Sequence, residues 1–82
     1  MKVVHNARHN HILKFISLIR GSHSKMVDIF SFGSCLNFHR ILKHQYSDAK
    51  AYYNVDHIIS KIGNKFYDIN GEVRDVTRFR PY

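Results

Sequence analysis

The sequence predicts an α+β fold with two helices packed on a small antiparallel β-meander. Apolar residues recur at three-and-four spacing in the first half, and short extended segments separated by the hairpin dipeptides "GN" and "NG" fill the second. A length of 82 residues supports one domain, and 44% hydrophobic residues, with Phe 6 and Tyr 5, are enough to give it a core. That domain, 1–82, divides into an N-terminal helix with a linker (1–31) and a helix with the sheet (32–82).

Ile12, Phe15, Ile16 and Ile19 give residues 7–20 an amphipathic helical period, and Gly21 stands where a left-handed C-terminal cap belongs. "GSHSK" interrupts the pattern, and "MVDIFSFGS" reads as a loop or short turn leading to a second helix. Ser34 is suited to cap that helix, which runs from Cys35 to about Tyr46 with Cys35, Phe38, Leu42 and Tyr46 on one face and Ile41 alongside. His39, Arg40, Lys43 and His44 are expected largely outside that face. "AKAYY", "VDHIISKI", "KFYDI" and "EVRDV" read as strands, and the tail "TRFRPY" has no usable period.

Thirteen Lys and Arg against six Asp and Glu give a net charge of +7, which favours an anionic partner such as an acidic protein or nucleic acid. The cations are spread along the chain; Arg74, Arg78 and Arg80, close to the aromatic Phe79 and Tyr82, are the candidate contacts for such a partner. A single cysteine cannot form an internal disulfide, and His5, His9, His11, Lys14 and Arg20 interrupt the apolar residues at the N-terminus. The expectation is a cytoplasmic protein without a membrane segment. His5 and His9 fall one helical turn apart in "HNARHNH", but no Cys or carboxylate follows at a ligand spacing, so neither a metal nor another cofactor is expected.

Cys35 begins a helix, where unpaired amides and the helix dipole stabilise a thiolate. It is equally readable as a small apolar core residue. A two-residue turn at Gly63-Asn64 would set Lys61 opposite Phe66 and Ile59 opposite Asp68, making His57 and Asp68 diagonal neighbours on one face, about 7–8 Å apart at the backbone. Asp68 could then orient the His57 imidazole, or simply precede the next turn. The face shared with Ile59 and Phe66 is the one expected under the helices, although the opposite face, with Ile58, Ser60, Tyr67 and Ile69, is apolar enough for the reverse.

"GSCLNF" followed by "DAKAYY" and "DHIISKIGNKFYDINGEV" resembles the core of the transglutaminase-like and papain-like cysteine-protease superfamily. The resemblance spans about residues 32–73 and is of the kind expected in small phage or bacterial proteins. It implies a minimal papain-like core with Cys35 as nucleophile, His57 as base and Asp68 as orienting acid. The backbone N–H of Cys35, with a neighbour such as Ser34, would form the oxyanion hole. The implied activity is acyl transfer, or amide or isopeptide hydrolysis, on a protein or peptide substrate. The alternative is a non-catalytic basic protein that binds and inhibits a host protein or nucleic-acid complex.

Overall fold

The computed structural model describes residues 2–32, 34–55 and 57–82, without the side chains of residues 2–6, 31 and 32. The His5 side chain and Gly33, expected in the loop before Cys35, lie outside the described residues. Three helices, α1 (Lys2–Gly21), α2 (Met26–Phe32) and α3 (Cys35–Gln45), precede five strands, β1 (Lys50–Tyr53), β2 (Ile58–Ile62), β3 (Lys65–Asp68), β4 (Gly71–Val73) and β5 (Arg80–Pro81). The class is α+β, with an antiparallel sheet in the order β4-β3-β2-β1-β5.

Helix α1 buries Ile12 and Ile16 at the expected spacing. Gly21 is helical and does not take the left-handed conformation expected of it; Ser22 closes the end instead, donating from its backbone N (3.1 Å) and its Oγ (2.7 Å) to Ile19 O. The segment expected to be a loop forms α2, because Val27 and Phe30, three residues apart, both pack on the core, with the Phe30 and Phe38 rings 5.3 Å apart. A short apolar run has no period long enough to separate helix from loop, so tertiary contact decides it.

The β2–β3 hairpin has the expected register: Ser60 faces Tyr67, Lys61 faces Phe66 and Ile62 faces Lys65. Gly63 has φ 65° and Asn64 has a negative φ, the arrangement of a II′ turn with glycine in its first central position. The second turn closes one residue earlier than the "NG" dipeptide suggests. Asp68 pairs with Gly71, leaving Ile69 and Asn70 as the loop, and Asp68 Oδ1 accepts from Asn70 N at 2.8 Å.

The core holds Ile12 and Ile16 of α1, Phe38 and Leu42 of α3, and Ile62, Tyr67 and Ile69 of the sheet. The helices therefore cover the face of Ser60 and Tyr67, not that of Ile59 and Phe66. Both faces carry charge, Lys61 and Asp68 on one and Lys65 and Glu72 at the rim of the other; what the covered face has to satisfy beneath α3 is the hydroxyl of Ser60. That hydroxyl meets His39 Nδ1 at 2.7 Å. His39 is consequently buried at 6% exposure, inside the α3 face from which its polarity would exclude it, while Ile41 is 37% exposed.

Tyr67 also anchors α1, its hydroxyl 2.8 Å from His9 Nδ1. Burial, with Glu72 adding to it, pushes this phenol up to about 12, so it stays protonated and donates. His11 Nδ1 lies 2.7 Å from the Tyr46 hydroxyl, so these two histidines engage different tyrosines. Among the described residues no helix is long and apolar enough to cross a membrane.

Strands β4 and β5 occupy opposite edges, so residues 74–79 cross the sheet. Phe79 stands edge-on to His57, at 6.2 Å between ring centroids, which places this crossing over the Ile59 face. Ile59 is 1% exposed although it lies outside the helical core cluster.

Candidate active site

Extension of the β2–β3 register brings His57, one residue before β2, diagonal to Asp68, the last residue of β3. Their side chains meet, with His57 Nε2 3.2 Å from Asp68 Oδ2, and they are 24% and 16% exposed. With Nε2–H directed at the carboxylate, Nδ1 carries the imidazole lone pair. Among the described residues Nδ1 has no hydrogen-bond partner. Asp68 performs both tasks open to it in the sequence, holding His57 through Oδ2 and closing the Asn70 turn through Oδ1.

The His57 backbone is fixed on the other side by Asn54, whose Oδ1 accepts from His57 N at 3.1 Å and whose N donates to His57 O at 3.0 Å. Phe79 covers the ring. The imidazole is thus held by the strand register, the bend after β1 and the crossing segment.

Cys35 is the first residue of α3 and is half-buried. Ser34 occupies the N-cap position, but its side chain makes no capping hydrogen bond, its φ of −133° and ψ of 31° departing from the usual extended cap geometry. Ser34 N donates to Ile29 O at 3.0 Å, so this amide is engaged and is not an oxyanion donor. Cys35 N–H belongs to the first turn, whose amides have no intrahelical acceptor.

The structure brings His57 and Asp68 together and does not join Cys35 to them; among the described residues no hydrogen bond links the thiol to His57. His57 and Asp68 belong to the Phe66 face, while α3 packs on the Tyr67 face. Along the sheet, however, the two groups are at the same end. His39 meets Ser60 midway along β2, and Asp48, just beyond α3, sits at the β2–β3 turn, where a hydrogen bond from Arg8, with a smaller contribution from the Gly63 backbone, holds its carboxyl below the usual range. Helix α3 therefore runs in the direction of β2, with Cys35 toward the His57 end.

Of the three arginines named as anionic contacts, Arg78 and Arg80 share a cleft with Tyr53, Asn54 and Val55. Arg74 points elsewhere, its Nε 3.7 Å from Glu72 Oε1 and its side chain 86% exposed. Besides α2, two features escaped the sequence reading. His39 falls on the buried α3 face, four residues after Cys35 and three before Leu42, but its polarity argued against burial, and β5 is only two residues long.

Residues 12–80 match the family described as Phage YunG-like protein. No curated protein and no solved structure matches the chain.

Proposed function

The chain belongs to the Phage YunG-like protein family, and we propose that it is a cysteine-dependent acyl-transfer enzyme or amide hydrolase with a minimal papain-like site of Cys35, His57 and Asp68. The observation that carries this reading is the His57 Nε2 to Asp68 Oδ2 contact of 3.2 Å, which leaves Nδ1 to accept a proton. In the reaction, Nδ1 takes the Cys35 thiol proton and the thiolate attacks the substrate carbonyl. The Cys35 amide stabilises the developing oxyanion. Collapse of the tetrahedral intermediate breaks the C–N bond, His57 returns the proton to the departing amine, and the resulting thioester passes its acyl group to water or to a second amine. The chemistry requires the thiol and Nδ1 to meet around the end of β2.

Alkylation by iodoacetamide near neutral pH tests it. Cys35 in the folded chain is expected to react rapidly, and His57→Ala to slow it by about tenfold, through loss of the base that generates thiolate. Equal rates in the two proteins, or labelling that begins only when the chain unfolds, would overturn the reading.

A second reading, a non-catalytic phage-type protein that binds and inhibits a host protein or nucleic-acid complex, is supported by the clustering of Arg78 and Arg80 in one cleft. It predicts that Cys35→Ala preserves function and that charge reversal at the two arginines abolishes it.

A further inference from the structure

The cleft of Arg78 and Arg80 has a volume of about 490 Å3 and is walled by Tyr53, Asn54 and Val55. Both arginines are exposed, and Arg80 pairs with Tyr53 in the sheet. Arg78 stands in the turn that Phe79 N closes on Val76 O at 3.0 Å, Arg80 begins β5, and both line the cleft, so both guanidiniums can address one ligand. Among the described residues neither forms an ion pair. Asp75, the acid nearest Arg78 in sequence, is held by Thr77, from its N at 3.3 Å and its Oγ1 at 2.9 Å, and Arg78 acts on it only as a weaker charge.

Beside these charges is apolar surface that has stayed in water. Val55 is fully exposed, and Tyr53 and Tyr82, in edge contact at 5.8 Å, are 42% and 73% exposed. The cleft adjoins the imidazole, since Asn54 lines it and hydrogen-bonds the His57 backbone, and Phe79, between the two arginines, packs on the His57 ring.

We infer that this cleft binds an acidic peptide segment, with an Asp or Glu carboxylate held by Arg78 and Arg80 and a neighbouring apolar side chain laid on Val55 and Tyr53. Guanidinium forks match carboxylates geometrically. The pairing of two cations with adjacent apolar surface in a cleft of this size suits one or two side chains. A nucleic acid would instead require cations following a tract of phosphates. That the peptide is also the acyl donor rests on the chemistry proposed above; its binding does not.

The test is fluorescence anisotropy at low salt, with the full chain and the peptide fluoresceinyl-Gly-Leu-Glu-Leu-Glu-Gly-amide, labelled at its N-terminal amine. The Gln-for-Glu analogue is expected to bind about tenfold more weakly, as are the variants Arg78→Glu and Arg80→Glu, each losing a charge-assisted contact. Arg78 lies outside the strands, so its variant tests the cleft without disturbing β5 pairing. Arg74→Glu, outside the cleft, is expected to change affinity by less than about twofold. Equal binding of the Gln analogue, an equal loss in Arg74→Glu, or tighter binding of a deoxythymidine oligomer than of the peptide would each overturn the assignment. The alkylation experiment reports on Cys35 and His57 separately: acidic-peptide binding with His57-independent alkylation would support the cleft and overturn only its role as an acyl-donor site.

Discussion

His39 Nδ1 and Ser60 Oγ lie 2.7 Å apart beneath α3, at 6% and 0% residue exposure, and form a polar bond between helix and sheet inside the helical face. Among the described residues no buried side-chain nitrogen or oxygen lacks a partner, so this pair completes a core without an unsatisfied polar atom.

Removing one member leaves the other buried and unpaired. Ser60→Ala is expected to lower stability by about 1–3 kcal/mol, a loss of several degrees in thermal midpoint measured by circular dichroism. His39→Leu combined with Ser60→Ala should cost less than the two single losses added together, because the double variant leaves no orphan.

Acid should act on the same bond. Burial, with Lys43 adding to it, lowers the His39 pKa below the ordinary 6.5, so the folded state favours neutral imidazole. The sign follows: this contribution is fully present above 6.5, diminishes as pH falls below that value toward the lowered folded-state pKa, and is lost as pH passes through it. The urea midpoint should therefore fall on acidification below 6.5, with a shallower dependence in His39→Leu.

Asp68→Asn should separate orientation from architecture. An amide oxygen can still accept from Asn70 N and preserve the turn, but it provides no carboxylate to hold the His57 tautomer. Cys35 alkylation is expected to slow, but by less than the roughly tenfold expected of His57→Ala, since the base remains and only its orientation is lost, with stability shifting by less than about 1 kcal/mol.

The two hairpin glycines should differ in tolerance. Gly63 at φ 65° is the first central residue of a II′ turn, a conformation close to glycine's alone, so although a Cβ added there would meet only open space, Gly63→Ala and Gly63→Asn should each cost about 1–2 kcal/mol. Gly71 at φ 115° lies further from any conformation open to alanine, and its substitution should cost about 1–3 kcal/mol. Thermal midpoints of the three variants give the ranking directly.

Local features follow from the sequence alone. The Gly63-Asn64 turn and the alternation around it determine that Lys61 faces Phe66, and from this follows the meeting of His57 and Asp68, because register propagates residue by residue from a turn. The α3 span and its Cys35 start were legible for the same reason, as periodicity and a boundary are properties of adjacent residues. Packing between elements settled what neighbours in sequence cannot express: that α2 is helical, that β5 completes the far edge, and that the helices cover Tyr67 rather than Phe66. Both sheet faces are apolar, so alternation alone does not rank them. The choice follows from total burial, in which His39 satisfies Ser60 and His9 engages Tyr67 on one face, while residues 74–79 cross the other and leave Lys61 and Asp68 partly in water. For that reason His57 and Asp68 could be paired from sequence, whereas the side of the sheet from which Cys35 approaches them could not.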